Sequence, residues 1–269
     1  LEEKIFDIVG QLNHSLKLLN DPIERLEIAK LNLIAGQKAK MATAYGAAIN
    51  YLTIGQNCLP EKSWETEYDL TFNFFIETLE ATYLSGDFKH MSQVEQVVSH
   101  QAKTLSDEAK ICEIQIPANN AQNKQLKAIK IALIFLNRLG ISLPAEPTQE
   151  NIRLALQETQ ASLSSKPILS IIDLPMMSDN QAILAMRIMA AVTPTAYGVS
   201  PRLMVLLVLK QVELSLKYGN VSESSFSYVC YGFILCSLVG DIESGYQFGQ
   251  LALDLLQQFP EKRLKVRVI

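Results

Sequence analysis

The chain has 269 residues, 48% hydrophobic and 19% charged, which excludes a disordered segment and is enough to bury a core in one long domain or two small ones. Its formal net charge of -4, with acidic and basic residues interspersed, offers no basic face to neutralise a run of phosphates, so nucleic acid is set aside as a partner. The longest apolar run, Val229 to Val239, falls well short of the roughly 18 to 20 residues that span a bilayer, and no targeting peptide is visible in the residues from Leu1 onward, so the expected location is the cytoplasm with no membrane partner.

Apolar residues recur at intervals of three and four almost throughout, and no stretch alternates apolar with polar long enough for a strand, so the class is all-α. Helices are predicted in pairs: 23–42 with 44–58, 64–85 with 87–104, 107–121 with 124–139, 179–198 with 201–217, and 222–239 with 242–258. Asp21-Pro22 and Ser200-Pro201 supply an N-cap followed by a first-turn proline, and Ser178 with Gln181 has the spacing of a capping box. At Gly86-Asp87-Phe88 and Gly240-Asp241-Ile242 a left-handed glycine ends one helix and an aspartate caps the next, so each is a helix-hairpin corner.

Pro117 and Pro194 fall inside helical patterns, where a missing N–H and a clash with the preceding turn predict a kink or break. Between Gly140 and Ser178, prolines at 144, 147, 167 and 175 flank one good helix and the short apolar run ILSIIDLP, so irregularity is expected there. The closing EKRLKVRVI reads as the opening turns of another helix, and both ends suggest a piece of a longer polypeptide.

The pairs repeat. Placing a terminal proline at Pro60 puts Gly36 at the small position of a first helix, Tyr45 at the aromatic opening of the second, and Ala48, Leu52 and Gly55 at its packing positions, which fits the tetratricopeptide pattern. Carrying the register to Gly86, Ala128 and Gly240 gives steps of 43, 37 and 117, longer than the usual repeat of about 34. The expected architecture is one tetratricopeptide-like domain over 1–269, a right-handed α-solenoid with first repeats in 1–140, an irregular connection in 141–178 and last repeats in 179–269.

Little here carries catalysis. No phosphate-cradling glycine loop occurs, and no nucleotide cofactor is implied. His14, His90 and His100 are the only histidines, and the last two stand ten residues apart in one helix, about 80° from eclipsed and roughly 15 Å along the axis, too far to share a metal. Neither lies in a phospho-accepting frame, and both read as surface residues. Glu65 and Asp69, one turn apart, read as a solvated first turn favoured by the helix dipole rather than as an acid-base pair. Cys58, Cys112, Cys230 and Cys236 sit in apolar contexts without metal-type spacing and read as buried thiols in a reducing cytosol. Phe72, Phe74, Phe75 and Tyr83 at helical spacing read as packing between helices.

What paired helices do supply is a concave groove that meets an extended peptide or a partner helix. The register places Lys30, Gln37 and Lys40 on that face in one unit, Asn73, Glu80 and Tyr83 in the next, then Glu113 and Asn120. Their mixed charge gives no sign for the ligand.

The stretches ERLEIAKLNLIAGQKAKMATAYGAAINYLTIGQNCLP, AMRIMAAV and VLKQVELSLKYGNVSESSFSYVCYGFILCSLVGDIESGYQFGQLALDLL resemble the helical-repeat segment of large multidomain signalling kinases, best known from cyanobacteria. In that family a serine/threonine kinase domain and an AAA-type ATPase precede the repeats, while GAF sensor and histidine kinase domains follow. The resemblance implies a non-catalytic interaction and relay module between an ATPase switch and sensor or output domains, with protein partners. The alternative is a helical superhelix that closes on a small-molecule effector. An all-helical enzyme would need a constellation that the sequence does not display.

Overall fold

The computed structural model describes residues 4–164 and 167–259, the side chain of Lys17 apart, and the expected helix over the final EKRLKVRVI lies outside them. The chain divides into two compact units, residues 1–114 and 115–269. Among the described residues the architecture is all-α, helices packed in sequential pairs, with a single isolated bridge and no sheet.

The first unit runs through α1 (Ile5–Ser15), α2 (Pro22–Met41), α3 (Tyr45–Gln56), the short α4 (Ser63–Thr66), α5 (Tyr68–Ser85), α6 (Phe88–Gln101) and the start of α7 (Leu105–Ala121). Asp21 caps α2, accepting from the Ile23 N–H at 2.9 Å, with Pro22 at the first helical position where no N–H is needed. Its core is small-residue packing. Gly36 faces Leu52 so closely that an added Cβ would stand 2.7 Å from Leu52 Cγ, and one on Gly55 would stand 2.5 Å from the Phe74 ring. Ala48, Leu52 and Phe74 are fully buried in the same cluster.

The second unit holds the end of α7, then α8 (Gln125–Arg138), α9 (Gln149–Leu163), a 3₁₀ turn (Ile168–Asp173), α10 (Asn180–Val199), α11 (Pro201–Tyr218), α12 (Ser222–Ile234) and α13 (Ile242–Gln258). From α10 onward neighbours in sequence pack on each other, but α8 pairs with α10 and α9 with α11, because the 139–179 stretch carries α9 out of line. Within this unit the 3₁₀ turn rests on α13. By length and composition α10 could cross a membrane, which the apolar-run criterion missed. It is mostly buried in this unit, as a core helix is.

The corners share one closure. A residue in the left-handed region follows the helix, and the next N–H reaches back five residues: Ala44 to the Ala39 carbonyl at 2.9 Å, Asp87 to Thr82 at 3.0 Å, Lys124 to Asn119 at 2.8 Å and Ile141 to Leu136 at 2.9 Å. The left-handed residues are Thr43, Gly86, Asn123 and Gly140, with Gly240 at the last corner. Gly86 and Gly240, two of the anchors of the sequence register, are corner residues, whereas the third, Ala128, is buried inside α8. Asp87 and Asp241 then cap the following helices through the His90 and Ser244 N–H groups, each at 3.0 Å.

Several expectations are corrected. The predicted 64–85 helix is two pieces, parted at Glu67 (φ -132°, ψ 47°), so Glu65 and Asp69 share no helical face. The turn lets the Trp64 ring pack on Phe75 at 4.9 Å while Tyr68 stacks on Phe72. Neither proline breaks its helix: α7 runs through Pro117 and α10 through Pro194. Ile116, Ala118, Val192, Thr193, Thr195 and Ala196 around them are buried, and a few side chains at about 2 kcal/mol each offset a proline cost of about 3 kcal/mol. Asp179 rather than Ser178 caps α10, accepting from the Ala182 N–H at 2.8 Å, while Ser200 precedes α11 without a side-chain cap bond. Of the cysteines, Cys58 and Cys112 are buried as expected, Cys230 is half-buried and Cys236 is exposed. Cys236 lies in a π turn, Leu235–Val239, that extends α12, where its sulfur abuts Gly245.

The second unit depends on Asn220. Its N–H donates to the Pro175 carbonyl at 2.8 Å, its own carbonyl accepts from the Met177 N–H at 2.7 Å, its Nδ2 donates to the Ile171 carbonyl at 2.8 Å, and its Oδ1 accepts from the Tyr228 hydroxyl at 2.8 Å. Beside it Gly219 (φ 101°) lies so near the strand-like return that a Cβ would stand 2.1 Å from the Pro175 oxygen.

Two stability predictions follow from the corners and from this pin. Thr43→Gly relieves a left-handed threonine and is expected to stabilise the chain by about 1 kcal/mol, seen as a rise of roughly 2–4 °C in thermal unfolding. Asn220→Ala strands several buried polar groups and Gly219→Ala forces the backbones apart. Each should cost about 3 kcal/mol or more in urea unfolding, and a loss under 1 kcal/mol would show that the pin is dispensable.

Candidate functional site: a polar seam and two clefts

In the first unit α2 and α5 lie side by side, and the turn-spaced polar residues of each meet. Gln37 Nε2 donates to Glu77 Oε1 at 3.0 Å, Lys40 Nζ stands 2.5 Å from Glu77 Oε2, and Lys40 also pairs with Glu80. The three charged side chains are 14%, 18% and 26% exposed, so solvent screens them only in part. Burial alone would pull the Lys40 pKa down, but its hydrogen bonds to Glu77 and Glu80, aided by their charge, outweigh that and raise it above the ordinary lysine value. Tyr83, one turn on, has its hydroxyl pKa raised by burial and then by the charge of Glu80.

Four of the eight sequence-predicted groove residues, Gln37, Lys40, Glu80 and Tyr83, therefore belong to this seam. Glu77 was missed. It stands between Asn73 and Glu80 at helical spacing on α5, and the sign that α2 presents, with Lys40 alone among its charged groups here, is the signal that would have found it. Asn73 is exposed. Lys30 points elsewhere, pairing with Glu27 of its own helix at 2.7 Å with both largely in solvent. Glu113 and Asn120 share one face of α7, half-buried, and in the second unit Asn120 Nδ2 donates to Thr195 Oγ1 of α10 at 2.5 Å. That bond makes Asn120 an inter-helix link.

A second polar site in the first unit joins α5 to the start of α7. Thr104 Oγ1 accepts from the Asp107 N–H at 3.1 Å and Asp107 Oδ2 accepts from the Thr104 N–H at 3.0 Å, a reciprocal cap. The Tyr68 hydroxyl donates to the same Asp107 oxygen at 2.9 Å, and Lys103 Nζ lies 4.0 Å from the Tyr68 ring centre. Burial, then the Asp107 bond, push the Tyr68 pKa up to about 12. These groups fasten a corner.

The second unit has a hydrogen-bonded interior of small polar residues. Gln211 Nε2 donates to Thr193 Oγ1 at 3.2 Å, Ser227 Oγ donates to Gln211 Oε1 at 2.6 Å, and the Ser215 and Ser224 hydroxyls lie 2.8 Å apart, all buried. Two clefts open on this unit. One, of about 630 Å³, lies between α9 and α11, with Asn151, Glu158, Ser162, Lys210 and Glu213 around Leu206 and Leu209. The other, of about 720 Å³, runs along α8. Among the described residues no three His, Cys, Asp or Glu side chains gather as a metal site would require, and His90 and His100 stay apart on α6.

These features define, among the described residues, an all-helical protein built of paired helices. The chain is distantly homologous, at 25% identity over 96% of its length, to a region of the hybrid signal transduction histidine kinase G of Dictyostelium discoideum. It spans 8% of that protein. No family model matches the chain, and no solved structure matches it.

Lys40→Met would leave Glu77 and Glu80 facing each other in partial burial, and a loss of about 2 kcal/mol is expected in urea unfolding at neutral pH. Because the Lys40 pKa is raised on folding, its contribution is full below the unfolded value near 10.5 and fades as pH rises through the higher folded value. The difference between Lys40→Met and the parent should shrink there. A gap constant into strong alkali would remove the ion pair from this account.

Proposed function

We propose that this chain is a non-catalytic interaction and relay module of a multidomain signalling kinase, a tetratricopeptide-like array that couples an ATPase switch to sensor and output domains. The likeness along 96% of the chain to part of a hybrid histidine kinase carries the reading. The polar seam agrees with it: partly exposed, charged and rigidly held by ion pairs, Lys40, Glu77, Glu80 and Tyr83 form a surface that a partner strand or helix can address. The partners are proteins, including neighbouring modules of the same polypeptide, and the setting is cytoplasmic.

A second reading, an effector-sensing array, draws on the 630 Å³ cleft, whose size suits a small molecule and whose rim brings amide, hydroxyl, ammonium and carboxylate groups together.

The deciding experiment is calorimetric titration of the chain with the separately produced ATPase module of the signalling protein that carries it, with and without nucleotide. Micromolar binding that changes with nucleotide and weakens in Glu80→Ala supports the relay. Absence of heat in every nucleotide state, with a thermal shift on addition of small metabolites that Lys210→Ala abolishes, would replace it with the sensor.

A further inference from the structure

From Ile114 to Ala145 the sequence contains no acidic residue, while Lys124, Lys127, Lys130 and Arg138 all fall there, in a chain whose net charge is -4. The structure turns this local bias into a surface. Helix α8 buries Ala128, Ile129, Ala132, Phe135 and Leu136 and turns its other side outward. On that side Leu126 is 75% exposed and Ile134 55% exposed, although both are large and apolar. They line the 720 Å³ cleft with Lys130, Leu133 and Arg138, and its opposite wall is supplied by Leu143, by Val199, itself 45% exposed, and by Glu146, the one carboxylate against two cations in the lining.

Leu126, Lys130, Leu133, Ile134 and Asn137 follow the three-and-four spacing of one helical face, about 16 Å long, which is three turns of a second helix. The described residues offer no strand edge that an extended peptide could extend, and an apolar floor beside cations matches an apolar face beside anions.

Resting on the interaction-module reading, we propose that the α8 cleft docks an amphipathic helix of a protein partner, one whose apolar anchors at i, i+3 or i+4 and i+7 are flanked by glutamate or aspartate. The apolar anchors fill the channel between α8 and Val199, and Lys127 and Lys130 meet the acidic flanks. Binding is therefore weakened by salt and is specific for the sign of the flanking charge.

The test titrates the whole chain into a fluorescein-labelled helical peptide of about 18 residues with leucine at those anchors and glutamate beside them, and into its lysine-for-glutamate counterpart. Anisotropy should give micromolar binding of the acidic peptide alone, weakened about tenfold by Ile134→Asp and by Leu126→Asp. The double change Lys127→Glu, Lys130→Glu should shift preference to the lysine peptide, with circular dichroism confirming that each variant stays folded. Equal binding of both peptides, binding of neither, or affinity untouched by both aspartate variants overturns the site. So does self-association of the chain that Ile134→Asp abolishes, or tighter binding to phosphatidylserine vesicles than to the acidic peptide. None of those failures touches the nucleotide-dependent titration above, which reads the seam on α2 and α5.

Discussion

Four polar groups of one side chain and its peptide hold the second unit in register. Asn220 sits where α11 ends and α12 begins, and each of its donors and acceptors is satisfied, two by the backbone of the returning segment, one by the 3₁₀ turn and one by Tyr228. A buried amide satisfied this completely specifies position as well as adding stability, since a shift of one residue would strand all of its groups at once. Gly219 makes the approach possible by having no Cβ. What sequence reading treats as an irregular connection is thereby fixed against the later helices, and α10 is free to lie on α8.

The sequence made the helices legible because their ends are written in local chemistry. Asp21-Pro22, Gly86-Asp87 and Gly240-Asp241 each do in the structure what their residue types require. Thr43 and Asn123 were not legible as corners, because threonine and asparagine tolerate rather than demand that conformation. The errors had the opposite origin. Pro117, Pro194 and Glu67 were judged by local rules, and tertiary packing of Ile116, Val192, Trp64 and Tyr68 overrode them.

The candidate surface was half legible. Helical spacing put Gln37, Lys40, Glu80 and Tyr83 on facing sides, yet it could not say that Lys40 would be shared by two carboxylates, nor that Asn120 would be spent on Thr195. The whole-chain charge also concealed the basic stretch around α8, since 28 acids distributed elsewhere cancel it. A net charge is an average, and a helix face is a sample from it.

The corners and the Asn220 pin make opposite demands on a chain that is still collapsing. Each corner closes by a bond across a single turn, so each hairpin can form as soon as its own residues emerge. The bond from Asn220 to Ile171 instead bridges 49 residues, and its loop-closure entropy is repaid only after α10, α11 and the return segment are in place. Hairpins first, clasp last is the order this imposes on folding. Until the clasp shuts, Ile171 and Met177 of the return segment, both buried in the finished fold, lie bare to their surroundings, and that interval is when the second unit is most exposed to aggregation.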